Sequence, residues 1–302
     1  MSLTSGALRH LPGIGPEREK RLRASGIRTW DDLLRERPGH LPGLGITDRL
    51  HDAVQQSREA LNARDLGALT GLLARADHWR LLHDFAAEAT YLDIETTGQQ
   101  QAEITVVVCL HRGELHTFVQ GENLDMLLDL LDDTRLLVTF NGASFDLPQI
   151  VDYFHIPPLT LPHIDLRWVC YHAGLSGGLK HIERAVGIQR PHDLVGTDGA
   201  EAVWLWDRWC TTRQPELRTK LLRYCAADVI ALDLLREQLL ERILPGSCPA
   251  RPVRTNADLW RLLPEQDAVI QPAVKGLGPL PSASPLSQRH ARLREHLRHP
   301  SR

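Results

Sequence analysis

The sequence predicts an α/β protein: a mixed β-sheet flanked by helices, preceded by a small all-α module. Three observations lead there. Residues 1–76 show helical apolar spacing broken by Pro-Gly turns. Residues from 78 onward open with short apolar runs bounded by turn residues, then alternate such runs with helical segments. From about 165 to 243 the pattern is almost wholly helical. Hairpin strands first and alternating elements later give a sheet of mixed direction covered by helices. The expected division is 1–76, 78–245 and 246–302. The last stretch is rich in Pro, Ser, Arg and His and reads as a largely disordered basic tail, with room for a short helix at 290–299.

Within the middle zone each element has its own signal. ATYLDIETTG is an apolar run ending in charges and then Gly, a strand entering a turn. EITVVVCLHRGELHTFV reads as two strands joined tightly at Arg112-Gly113. NLDMLLDLLD has helical spacing, and RLLVTFNG is a further buried strand. SFDLPQIVDYF reads as a helix capped by Ser144. The expected order is β-β-β-α-β-α, then several helices.

Composition narrows the function classes. The hydrophobic fraction of 42% allows a real core. No apolar run approaches the ~20 residues a membrane helix needs, and the first residues lack a basic region followed by an apolar stretch. A cytoplasmic protein is expected. The five cysteines form no CxxC pair, so neither a disulfide framework nor a zinc site is expected. Charge is uneven. Residues 1–80 carry 13 Lys and Arg against 10 Asp and Glu; residues 81–270 carry 16 against 27; residues 271–302 carry 6 against one. Basic ends around an acidic body fit nucleic-acid contact outside and cation binding within.

The acids then sort themselves. Asp93 and Glu95 stand two apart at a strand end, so both point to one face. Two like charges on a core strand need a cation, unless the strand is ending and both are solvated. Asp146 follows in NGASFD, where Gly142 permits a tight turn and the helix dipole favours an acid. Asp228 and Tyr224 are four apart on a late helix and share a face. Taken singly, that pair also fits a partly buried Tyr and an exposed Asp, a plain role that Asp233 fits better.

Together, D-x-E, N-x-x-x-F-D and Y-x-x-x-D in this order resemble the DEDD superfamily of 3′→5′ exonucleases, in its tyrosine branch, which has a ribonuclease H-like fold. The connecting sequence is similar to the YprB-type ribonuclease H-like family: HWRLL at 78–82, HIDLR at 163–167, GGLKHIERAVGIQR at 177–190 and the Trp-rich helix before the last motif. The resemblance covers about residues 78–243. It implies phosphodiester hydrolysis with two ions, Mg²⁺ or Mn²⁺, held by Asp93, Glu95, Asp146 and Asp228. It implies further that Asp93 bridges both ions, that Glu95 and Asp228 hold the ion activating water, that Asp146 supports the second, and that Tyr224 orients the water. An ordinary tyrosine pKa near 10 favours hydrogen bonding by Tyr224 over ionised base chemistry.

Other residues keep two readings. Asn141 orders its motif or meets substrate, or caps the following helix. Asp165 is an additional metal-side acid or a helix N-cap. Lys180 is a phosphate contact or a surface lysine. His163, His181 and His192 lack metal-ligand spacing. Trp204, Trp206 and Trp209 stack on bases or, for at least two of them, pack in the core.

LRHLPGIGPEREKRLRASGIRTWDDLL at 8–34 resembles a helix-hairpin-helix motif, and HLPGLGITDRLHDAV from His40 resembles a weaker second copy. Gly13 and Gly15 would let backbone N–H groups approach a phosphate, and Lys20 and Arg21 would add salt-sensitive affinity. An αα-hairpin used for packing or protein contact remains the other reading, given Glu17, Glu19, Asp31 and Asp32. The leading expectation is a 3′→5′ exonuclease on DNA, with RNA open. A structure-specific endonuclease on the same site and a catalytically silent binding scaffold are the alternatives. Protein partners are not legible.

Overall fold

The computed structural model describes residues 2–36, 47–98, 102–245 and 260–263. They divide into two compact units. The first comprises the residues up to Ala87 with the last turn of the final helix from Leu240; the second runs from Glu88 to Leu239. The start of the second hairpin copy, at His40, and nearly all of the basic tail lie outside the described residues.

The first unit is all-helical: α1 (Pro16–Ala24), α2 (Trp30–Arg35), α3 (Asp48–Asn62), α4 (Leu66–Leu72) and α5 (Leu81–Asp84). Their starts are chemically marked. Pro16 occupies the first position of α1, where its missing N–H costs nothing. Thr29 and Asp32 form a reciprocal capping box on α2. Thr47 and Asp65 cap α3 and α4. Leu8, Leu22, Trp30, Leu33, Leu50 and Leu69 are fully buried, and the Trp30 indole donates to the Ala7 carbonyl at 2.6 Å.

The second unit is built on a five-stranded sheet: β1 (Ala89–Thr96), β2 (Ile104–His111), β3 (Glu114–Val119), β4 (Leu136–Thr139) and β5 (His163–Asp165), in the order β3-β2-β1-β4-β5. β1, β2 and β3 pair antiparallel; β4 and β5 join in parallel. The β2–β3 turn places Arg112 and Gly113 at φ of 51° and 85°, the two left-handed residues a two-residue hairpin requires. The helices are α6 (Leu127–Asp133), α7 (Asp146–Phe154), α8 (Leu166–His172), α9 (Leu179–Ala185), α10 (Gly199–Thr212) and α11 (Pro215–Ile243).

Alternation along β1 sets the site. Leu92 and Ile94 face one way and pack with Val107, Leu127, Leu131 and Ile150. Asp93 and Glu95 take the other face, which α11 covers through Cys225. Residues 221–236 of α11 are all buried, so its charged groups need partners.

Three expectations are corrected. The helix expected from Ser144 begins at Asp146, with Phe145 at its N-cap and no side-chain cap. Pro148 explains this: a start at Ser144 would require an N–H from Pro148 to close the first full turn. The expected order of β-β-β-α-β-α followed by helices misses one strand: His163–Asp165 is a fifth, too short to show alternation. Asp233 is buried and paired with Arg236 at 3.0 Å, not exposed. Among the described residues no helix is long and apolar enough to cross a membrane.

Candidate active site

Three segments far apart in sequence deliver the acids. Asp93 and Glu95 sit on the last half of β1, opposite Val108 and Val106 of β2. Asp146 opens α7, and Asp228 lies one turn after Tyr224 on α11. Ligand-type atoms of Asp93, Glu95 and Cys225 lie within 4.8 Å of one another. The Cys225 thiol donates to the Asp93 carbonyl at 3.6 Å and to its carboxylate at 3.7 Å. Glu95, Asp146 and Asp228 are buried and Asp93 is half-buried. A cleft of about 250 Å³ opens onto Asp93, Lys180, Tyr224 and Asp228.

Asp93 and Glu95 each feel other acids of the group. Burial pushes the Asp93 carboxyl well above the usual range, and Asp228, Asp146 and Glu95 push it further. Glu95 is raised first by burial and then by Asp228, against an opposing pull from Lys180. Asp146 is pushed up to about 7, chiefly by burial, with the charge of Asp165 adding to it and backbone amides of Asp146 and Ile94 opposing it. Among the described residues the Glu95 carboxylate has no protein hydrogen bond or ion pair. The four acids supply only hard oxygen donors, buried and mutually repelling. That donor set fits a hard divalent cation, which would remove the repulsion.

The remaining groups organise these acids. Asp165 accepts from the backbone N–H groups of Asn141 at 2.7 Å, Ala143 at 3.2 Å and Arg167 at 3.0 Å. It therefore caps α8 and pins the loop that delivers Asp146. Asn141 adopts φ of 66° there, a conformation asparagine tolerates, and its side-chain oxygen accepts from Arg167. It does not cap α7. Gly142 has no room for a Cβ beside Thr139, whose hydroxyl accepts the Gly142 N–H at 3.2 Å.

Lys180 is no free surface lysine: its ammonium donates to the Tyr224 hydroxyl and lies 4.3 Å from that ring's centre. Burial, then Asp228, Glu95 and Asp93, hold the Tyr224 phenol far above its usual pKa, so the hydroxyl stays protonated. Asp228 is buried, not exposed, and pairs with Arg190. Arg190, its partner Glu183 and Cys225 were not singled out in the sequence. Cys225 had one usable signal: it follows Tyr224 directly on the helix. Of the three tryptophans, Trp209 is buried, Trp206 is partly buried and Trp204 is 53% exposed. His163 is partly buried and bonds to Thr139 at 2.9 Å.

Gly13, Gly15, Lys20 and Arg21 belong to the first unit. Gly13 has φ of 72° and its carbonyl accepts from Arg18 at 3.0 Å. Gly15 is the N-cap of α1 without a side-chain cap, and Lys20 is exposed on that helix.

Comparisons with known proteins bear on the second unit. The profile of the RNase_H superfamily (RNase_H_2) matches residues 90–240, half of the chain. No curated protein gives a match. Among solved structures, the family B DNA polymerase from the hyperthermophilic archaeon Pyrobaculum calidifontis is similar at 16% identity and a TM-score of 0.41; the match covers 52% of this chain and 24% of that one. The matched segment runs from the second residue of β1 to the late part of α11, spanning every strand and all four acids. The chain thus belongs to the RNase H superfamily.

Proposed function

We propose that the protein is a metal-dependent nuclease that removes nucleotides from the 3′ end of nucleic acid, with DNA as its substrate. The observation that carries this reading is the convergence of Asp93, Glu95, Asp146 and Asp228 beside one cleft, where Asp93 feels the charge of the other three and Glu95 that of Asp228 and Asp146. Two divalent ions, Mg²⁺ or Mn²⁺, held by these four acids would neutralise the scissile phosphate and acidify a bound water. Asp93, which feels all three other acids, would be one of the residues that hold the ions. Tyr224 orients the attacking water: Lys180 occupies a lone pair of its oxygen, which leaves the phenolic hydrogen free to donate. Lys180 adds positive charge for the phosphate.

An end-binding mode is supported by a second cavity, about 900 Å³, lined by Thr96, Gly98, Phe145, Gln149 and Tyr153. Thr96 and Phe145 are the chain neighbours of Glu95 and Asp146, and the lining also includes Glu103 and Asp152. The cavity is large enough for a nucleotide, and Phe145 is 39% exposed, an aromatic surface for a terminal base. The helix-hairpin-helix-like segment of the first unit, with uncapped amides at Gly15 and charge at Lys20 and Arg21, is read as the duplex-binding part.

The test is cleavage of end-labelled single- and double-stranded DNA and RNA with Mg²⁺, Mn²⁺ or EDTA. Stepwise 3′ loss is expected, abolished by EDTA and by Asp93→Ala. Cutting of circular or 3′-blocked strands would replace the exonuclease reading with an endonuclease. Binding without cutting under every condition would point to a scaffold. Replacing Gly13 and Gly15 by bulky residues should weaken DNA binding and leave ion affinity unchanged; unchanged DNA binding would make the hairpin a packing element.

A further inference from the structure

A buried guanidinium reaches the acidic cluster. Arg190 follows α9, and its side chain is 7% exposed. Its Nε and Nη2 donate to the two Glu183 oxygens at 2.8 and 2.5 Å. Nη2 has a second hydrogen, and that one goes to Oδ1 of Asp228. Glu183 and Asp228 have side-chain exposures of 3% and 9%, so both acids and the base are shielded from water. The bidentate grip of Glu183 fixes the guanidinium plane. The fixed plane then holds one oxygen of Asp228. Lys180 is the other cation at this cluster, and it is engaged with Tyr224.

We propose that Arg190 is a positioning residue of the active site that also sets its affinity for divalent ions. It holds Asp228 by Oδ1 and so leaves Oδ2 as the oxygen available to an ion. It occupies the ion's electrostatic place at Asp228 when no ion is bound, which lets four repelling carboxylates stay folded together. An ion arriving there works against a fixed positive charge, so binding is weaker than the acids alone would give, and release is easier. Glu183 keeps the guanidinium from following Asp228 toward the ion. This rests on Asp228 being an ion ligand, as read above. A clamp with a purely structural purpose would tie the segment at 190 to α11 without any effect on ion binding, and that difference is measurable.

Manganese binding by calorimetry on the full chain, paired with melting curves with and without Mn²⁺, reads the proposal without recourse to activity. Arg190→Met should bind Mn²⁺ about ten-fold more tightly, since a unit charge beside the ion is removed. It should also melt earlier without the ion and recover most of the loss at saturating Mn²⁺. This variant leaves Glu183 buried and unpaired, which can prevent folding. The pair Glu183→Gln with Arg190→Met avoids that and should bind about three-fold more tightly. Arg190→Lys keeps the charge but loses the fork. It should hold Mn²⁺ affinity near the parent's and lower kcat about ten-fold at unchanged KM. Unchanged Mn²⁺ affinity in both charge-removing variants would overturn the proposal and leave Arg190 a structural clamp. If Asp228→Asn does not weaken Mn²⁺ binding, Asp228 is no ligand, and the proposal falls together with that part of the site.

Discussion

One strand carries two buried polar clusters, and they are built on opposite principles. Near the start of β1, Thr90 meets His111 Nδ1 at 2.7 Å and accepts from Thr134 at 3.2 Å; His111 Nε2 contacts Asp133 at 3.2 Å, and Arg112 also holds Asp133. Each of these groups has a partner, and burial lowers the His111 pKa so that the ring is neutral. Three residues later, on the other face, Asp93 and Glu95 meet Asp146 and Asp228 with like charge facing like charge. The first cluster is complete in itself. The second is complete only with cations, and Arg190 and Lys180 supply part of that charge. A buried polar group with its partners present contributes to stability; one left wanting a partner marks a place where something else binds.

The contrast can be broken by substitution. Asp93→Ala should reduce cleavage about a thousand-fold or more while raising, or leaving unchanged, the melting temperature of the ion-free protein, because a repelling charge is gone. Thr90→Val should do the reverse. It strips His111 of a partner and should cost about 1–2 kcal/mol in denaturant unfolding, with kcat unaltered. A fall in both stability and rate for either variant would mean the clusters are not separable. Tyr224→Phe should lower kcat by about ten- to a hundred-fold and leave Mn²⁺ affinity as it was; an equal loss of ion binding would make Tyr224 part of the ion's surroundings rather than a holder of water.

The smallest effect is on pH, and it has opposite signs in the two clusters. Asp93, Glu95 and Asp146 have folded pKa values raised above their unfolded ones, so ion-free stability is full below about pH 4 and declines as pH rises, through about 7 for Asp146. His111 has a lowered pKa, so its contribution is lost as pH falls below the unfolded value of 6.5. Asp146→Asn should flatten the acidic-cluster slope between about pH 4 and 7, and His111→Gln should flatten the other. Saturating Mn²⁺ should remove the first slope only. The same slope in the Asp146→Asn protein would show that Asp146 is not the group titrating over that range.

Much of this site can be read from sequence because strands and helices have fixed periods. Asp93 and Glu95 share a face through the two-residue repeat, and Tyr224 and Asp228 through the four-residue one. The Arg112-Gly113 turn is local chemistry, and it forms as expected. What escapes is contact between distant segments. Nothing in the spacing of GGLKHIERAVGIQR says that Arg190 reaches Asp228, 38 residues on. Asp233 is read as exposed because the helix pattern assigns acids to water, whereas Arg236 one turn away makes its burial tolerable. The fifth strand, three residues long, has no period to detect, and the start of α7 is decided by Pro148 rather than by the Ser144 that imitates a cap.

The most direct test of the central claim is a melting curve of the ion-free protein at pH 8, repeated with Mn²⁺, beside the Asp93→Asn variant. The account predicts that Mn²⁺ raises the parent's Tm by several degrees, and that the variant starts higher without the ion and gains little from it. Equal gains in both proteins, or none in either, would contradict the reading of this strand end as an ion site.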